Sequence, residues 1–373
     1  MKSELDNYFE PYNAMLDFGT SIAKGAEVIS QFDVNEVAVG ASPKEQVFQV
    51  DKVTLHHYKP MRKGKPKTAP VLITYGLIGR YTMIDLQEDR SLVRNLLERG
   101  VDLYVVDWGN PSRADQYLNF DDYVCHYLDE CVNVICEQQG VDKVTLFGIC
   151  EGGTFTSMYA AMFPKKVSNM ILSITPIDFA ADSEDTDPSH GFLNLWIRNL
   201  DDEDIEKLLQ AFGNLPGELM GAVFSAMTPI RSMTKYNLDL LNVATDEAKL
   251  LNFLRMEKWL ADRPHHPGSA ARQWLIDLYK ENKLVRGEFE LMGEKVDLAN
   301  ITMPVLNIYA EHDHIIPPPC SAALGKYVGS DDYTNLCLPA GHVGIYVSSK
   351  LQGIVGDQIA EWLIARQDKR IKG

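Results

Sequence analysis

The stretch Val144-Thr145-Leu146-Phe147-Gly148-Ile149-Cys150-Glu151-Gly152-Gly153 decides the fold. Its first four residues are a short, apolar, β-prone run, and Gly152–Phe163 beyond it carries a helical pattern. Between the two lies Gly-x-Cys-x-Gly, the spacing of a strand–turn–helix elbow that presents a nucleophile. The demand is steric: the nucleophile sits in a strained turn, so the residues two positions away must be small. The same turn would put Cys150 at a helix N-terminus, where the dipole favours a thiolate, and aim the Glu151 N–H at a developing oxyanion. The competing reading of Cys150 is a buried structural thiol.

Working outward, three more short buried runs flank this one: Val71–Tyr75, Val101–Asp107 and Met170–Ile174. Helical patterns at Asp85–Glu98 and Asp121–Gln139 separate them. Alternating short strands and helices predict a mostly parallel sheet with helices on both faces. The alternation stops near Asp178. Residues 181–300 hold no convincing buried strand but contain Trp196, a Leu/Met-rich helical stretch around 203–227, and Trp259 and Trp274 in helical contexts. Strands resume at Pro304–Tyr309 and Tyr333–Leu338, and a helix near 350–366 closes the chain. The expected organisation is an N-terminal arm over 1–60, mostly helical to about residue 40, then a first core segment over 61–180. A helical cap or lid over 181–300 and a second core segment over 301–373 follow. A sheet interrupted by a helical cap and then completed is the α/β-hydrolase layout.

In that layout the acid and the histidine follow the nucleophile in that order. Asp313 comes directly after the strand at 304–309, and His342, flanked by Gly341 and Gly344, follows the strand at 333–338. Cys150, Asp313 and His342 are therefore the candidate triad. His312 and His314 are rival bases, and Asp107 and Asp178 rival acids, each more readily explained by local turns or surface positions. The second oxyanion donor is expected in Tyr75-Gly76-Leu77-Ile78-Gly79-Arg80, at the Leu77 N–H with Ile78 as the alternative. Arg80 is open to two readings, a phosphate contact or an ion pair with Asp85 or Glu88, and the second is favoured.

The 373 residues carry a net charge of −16 with 45% hydrophobic residues, and the pI is about 5.0. That charge disfavours nucleic acid and anionic membranes as partners. No apolar run approaches the ~18–20 residues of a membrane span, and an export signal is not expected, since Met1–Asp6 shows no basic stretch leading into an apolar one. The six cysteines have no CxxC pair, so reduced thiols in the cytoplasm are expected; Cys125, Cys131 and Cys136 read as structural thiols on one helix. No metal and no cofactor are expected.

A cysteine nucleophile suits acyl groups that arrive as thioesters, because thiol–thioester exchange is nearly neutral in free energy. His342 would take the Cys150 proton and later give it to the departing thiol. A helical cap would exclude water, as transfer in preference to hydrolysis requires.

Beyond the elbow, several motifs are specific: Asp85–Leu92 (DLQEDRSL), Val106-Asp107-Trp108-Gly109, Gly213–Glu218 (GNLPGE), Asn252–Trp259 (NFLRMEKW) and Gly341–Tyr346 (GHVGIY). Through them, from about residue 45 to 365, the chain resembles the polyhydroxyalkanoate synthases, and most closely the short catalytic subunits of the two-subunit types. Two departures stand out. Glu151 occupies a place where Gln or Met is more usual, and Gly76–Arg80 stands where family members resemble Ala-Leu-Val-Asn-Arg.

The resemblance implies a polymerase that takes (R)-3-hydroxyacyl-CoA, with 3-hydroxybutyryl-CoA favoured, and builds polyester on Cys150, the CoA thioester being a substrate. It further implies that Asp313 activates the 3-hydroxyl of the incoming monomer. A homodimer, a small non-catalytic accessory subunit and attachment to cytoplasmic storage granules are also implied. The alternatives are an intracellular polyester depolymerase or thioesterase with the same triad, and a granule-binding scaffold on an inactive hydrolase fold.

Overall fold

The computed structural model describes residues 37–184, 192–227, 243 and 246–366. The expected helical arm before residue 37 lies outside the described residues. The rest of the segment assigned to an arm is not one. Residues 44–58 enter the main sheet as a hairpin, β1 (Lys44–Val50) and β2 (Val53–Tyr58), turned at Asp51, whose φ is 49°. The hairpin hides in the sequence because it is polar: Val53 and Leu55 go inward, whereas His56 and His57 stay half-buried.

Six strands follow: β3 (Val71–Thr74), β4 (Leu103–Asp107), β5 (Val144–Ile149), β6 (Val167–Ser173), β7 (Val305–Ala310) and β8 (Tyr333–Leu338). The sheet order is β1-β2-β4-β3-β5-β6-β7-β8. The pairs β1–β2 and β2–β4 are antiparallel, and every pairing from β4 to β8 is parallel. The six runs expected from the sequence are these six parallel strands. They read as continuous apolar runs because helices cover both faces of a parallel sheet.

Period-two alternation divides the core. Leu72, Tyr104 and Leu146 pack on one face with Leu128, Val132 and Phe155. Val71, Ile73 and Phe147 pack on the other with Leu92, Leu96 and Ile359. The first face is covered by α2 (Leu128–Gln139) and α3 (Glu151–Met162), and the second by α1 (Leu92–Glu98) and α11 (Gln352–Ala365). The helix expected from Asp85 begins only at Leu92. Asp85–Gln87 instead pairs with Arg90–Ser91 as a small hairpin. The reason is Asp85, buried and bonded to the hydroxyls of Ser42 and Ser91, both at 2.6 Å. Ser91 then caps α1 by accepting from the Arg94 N–H at 3.0 Å.

Between β6 and β7 the described residues are mainly helical: α4 (Phe192–Arg198), α5 (Asp202–Phe212), α6 (Gly217–Ala226), α7 (Glu247–Ala261) and α8 (Gly268–Arg272), the last continuing as a π-helix through Lys280. Glu290–Leu291 and Glu294–Lys295 add a small hairpin. An antiparallel bridge, Leu215 with His266, ties the residues before α6 to those before α8. After β7 come α9 (Pro318–Ala322) and, beyond β8, α10 (Gly344–Val347). Among the described residues no helix is long and apolar enough to cross a membrane.

Candidate active site

The carboxyl ends of β3, β5, β7 and β8 lie close together in the sheet, and the four sequence-selected segments hang from them. At the end of β5 the chain turns at Cys150 with φ 54° and ψ −128°, a conformation a side chain adopts only under strain. The flanking glycines are sterically required. A Cβ on Gly148 would stand 2.4 Å from the Gly153 Cα, and one on Gly152 would stand 2.3 Å from the Thr74 carbonyl oxygen. Cys150 is half-buried and precedes α3, whose first N–H groups have no acceptor within the helix.

Asp313 and His342 meet through strand register. Val305 lies beside Tyr333 and Ala310 beside Leu338, a constant step of 28 residues (333 − 305 = 28). The ladder runs on past the strand ends, where Glu311 N–H donates to Leu338 O at 2.8 Å and His312 N–H to Ala340 O at 2.9 Å. His342 Nδ1 then donates to Asp313 Oδ2 at 2.8 Å. The other carboxylate oxygen, Oδ1, accepts from the N–H groups of Ile315 and Ile316, both at 2.9 Å. Asp313 is 1% exposed and His342 8%. Burial works to lower the His342 pKa. The charges of Asp313 and Cys150, and hydrogen bonds to both, outweigh it and push the value up to about 10. Cys150, His342 and Asp313 therefore form one interacting group, with the imidazole between sulfur and carboxylate.

The rivals are committed elsewhere. His312 is turned outward, its side chain 69% exposed. Asp107 caps the Gly109 N–H and lies 3.7 Å from Arg80. Asp178 accepts from Asn282 at 2.8 Å and from the Tyr327 hydroxyl at 2.8 Å. Arg80 does not pair with Asp85 or Glu88. It donates to Gly109 O at 2.9 Å and to Asp262 at 3.2 Å, because Asp85 is taken by two serines and Glu88 by Arg94. The cysteines on and just before α2 are free thiols; burial pushes Cys125 and Cys131 up to about 12, so they are poor nucleophiles.

Leu77 is where the structure departs from expectation. Its N–H does not face open space but donates to Glu151 Oε2 at 2.6 Å, and the Ile78 N–H donates to the same oxygen at 3.2 Å. The cause is the carboxylate next to Cys150, an acceptor within reach of both amides. Two tryptophans hold the same loop. Trp108 Nε1–H donates to Tyr75 O at 2.7 Å, and Trp259 Nε1–H donates to Arg80 O at 2.9 Å. Both were legible as motif residues, but neither had a role until the fold brought them to the loop. His266, which the sequence did not single out, reaches Glu151 Oε1 with Nε2 at 2.7 Å.

A completed parallel sheet, a nucleophile elbow and an acid–histidine pair at the strand ends define an α/β hydrolase. The profile of that family, described as alpha/beta hydrolase fold, matches residues 69–348. A soluble variant of monoglyceride lipase from Saccharomyces cerevisiae shares the fold, with a TM-score of 0.51 at 15% identity over 90% of this chain and 98% of that one. Within this class the chain belongs to the family of poly(3-hydroxyalkanoate) polymerase subunits PhaC. It is 43% identical to the subunit of Synechocystis over 359 residues, covering 96% of this chain and 94% of the relative. It is 40% identical to that of Allochromatium vinosum over 353 residues, covering 94% and 96%.

Proposed function

We propose that this chain is the catalytic subunit of a poly(3-hydroxyalkanoate) synthase, an acyltransferase that polymerises (R)-3-hydroxyacyl-CoA, with 3-hydroxybutyryl-CoA as the favoured monomer, and releases CoA. The observation that carries the reading is the Cys150 elbow facing a buried His342–Asp313 pair in a member of a polymerase family.

The Cys150 sulfur attacks the thioester carbonyl, the bond from that carbon to the CoA sulfur breaks, and His342 gives its proton to the departing thiol. The Glu151 N–H, at the start of α3, supports the oxyanion; Leu77 would contribute only after its present acceptor moves. In elongation the 3-hydroxyl of a second hydroxyacyl-CoA gives its proton to His342, and its oxygen attacks the acyl-cysteine. The extended chain is then a CoA thioester, and Cys150 recaptures it with loss of CoA. Direct activation of that hydroxyl by Asp313, implied by the family resemblance, finds little support: both carboxylate oxygens are occupied and the residue is 1% exposed. Asp313 acts through His342.

The relatives are named as subunits. A small non-catalytic partner subunit, a homodimeric active form and attachment to polymer granules in the cytoplasm belong to the same reading. The test is incubation with (R)-3-hydroxybutyryl-CoA, with and without candidate partner subunits, while free CoA, soluble 3-hydroxybutyrate and insoluble polymer are followed together. CoA release matched by polymer is expected. Release matched by soluble acid would make the chain a thioesterase.

A further inference from the structure

Glu151 is 0% exposed and His266 2%, and they meet at 2.7 Å. A buried carboxylate is costly unless a cation or several donors satisfy it. Glu151 has partners on both oxygens: the Leu77 and Ile78 N–H groups on Oε2 and the His266 ring on Oε1. Among the described residues no lysine or arginine pairs with it. The other ring nitrogen, Nδ1, lies 3.3 Å from the Pro267 carbonyl, an acceptor only, so Nδ1 carries a hydrogen. One proton is therefore shared between His266 Nε2 and Glu151 Oε1.

The place of this pair matters. Glu151 follows the nucleophile directly, where the reaction develops negative charge on sulfur and then on oxygen. A lone carboxylate there would oppose both. His266 belongs to the mainly helical segment between β6 and β7, held by its backbone exchange with Leu215 at 2.8 and 2.9 Å.

We propose that His266 is a positioning residue of the reaction: by sharing a proton with Glu151 it neutralises the carboxylate beside the nucleophile and registers the helical segment on the elbow. The proposal rests on the thioester chemistry above, and it assigns a role to the family departure at Glu151.

The test is a suppression experiment on the full-length chain. His266→Gln keeps a hydrogen-bond donor near the Nε2 position but carries no charge. It is expected to lower kcat for CoA release at least 30-fold with KM within about threefold. Glu151→Gln keeps the backbone donor and an acceptor for Leu77 and Ile78, and is expected to cost about threefold. The double variant should return to the Glu151→Gln level, because removing the carboxylate removes the need for its partner.

A double variant as impaired as His266→Gln, or a Glu151→Gln loss of 30-fold, would overturn the proposal. If His266→Gln alone does not accumulate folded, recovery of soluble protein in the double variant is the same suppression; failure of both to fold refutes it. Alkylation of Cys150 by iodoacetamide, followed by peptide mass spectrometry, is read in parallel and should show the same suppression. Should wild type release no CoA from the hydroxyacyl thioester, the polymerase reading fails, while the alkylation rates still decide the role of His266.

Discussion

Trp259 donates its indole N–H to the Arg80 carbonyl at 2.9 Å, joining residues 179 positions apart. One comes from α7 in the helical insertion and the other ends the loop whose amides grip Glu151. Trp259→Phe keeps an aromatic ring, though a smaller one, and leaves the Arg80 carbonyl with only the longer Met83 N–H contact at 3.3 Å, a loss of about 0.5–1.5 kcal/mol for the hydrogen bond. If most of that cost falls on the placement of the loop, kcat for CoA release drops by up to about tenfold with only a small fall in melting temperature. A lowered melting temperature with unchanged kcat would assign the bond to stability alone.

Cys150→Ala removes the sulfur while leaving the elbow glycines and the surrounding packing in place. CoA release is expected to fall at least about 1,000-fold, with an unchanged far-ultraviolet spectrum. Substantial retained turnover would remove Cys150 from the chemistry.

Asp313→Asn separates two roles for the acid. Because Asp313 is almost fully buried and bonded to His342 Nδ1, the first release of CoA and the later elongation should slow by similar factors. Rapid-quench measurement of both phases decides. A loss confined to elongation would restore a direct contact between Asp313 and the monomer hydroxyl.

His342 should dominate the alkaline behaviour. Its pKa in the folded chain is raised to about 10, above the ordinary value near 6.5. Protonation therefore favours the folded state: this contribution is complete below pH ~6.5 and is lost as pH rises toward ~10. Melting temperature measured across that window should decline more in wild type than in His342→Gln. Equal declines would mean that the imidazole is not held protonated.

Leu96, fully buried on α1, shares a cluster with Ile359 and Leu363 of α11. Leu96→Ala should destabilise the chain by about 2–5 kcal/mol. Chemical denaturation would measure the loss, and turnover per folded molecule should not follow it.

The sequence carries the parallel strands and the elbow plainly because both are local: a run of buried apolar residues, or a glycine spacing that sterics demand. Asp313 and His342 were legible through position at strand ends. What escaped is non-local or polar. The β1–β2 hairpin exposes glutamines and leaves its histidines half-buried, and so lacks an apolar run. Asp85 looked like a helix start but is drawn into a pair of serine hydroxyls, one of them 43 residues away. Glu151 and His266 lie 115 residues apart, and no local pattern announces such a meeting. The same holds for the occupied Leu77 N–H, which follows from one side chain and not from the loop's own sequence.

The register of β7 against β8 has a consequence for reading other chains. Because pairing along the strands delivers Asp313 to His342, the number of residues between them is incidental. Residues inserted near Ser330, in the exposed turn ahead of β8, would renumber the histidine without displacing it. A search for an acid at a fixed count before a histidine would therefore overlook true counterparts with longer or shorter turns, whereas the ends of two adjoining strands remain a lasting address.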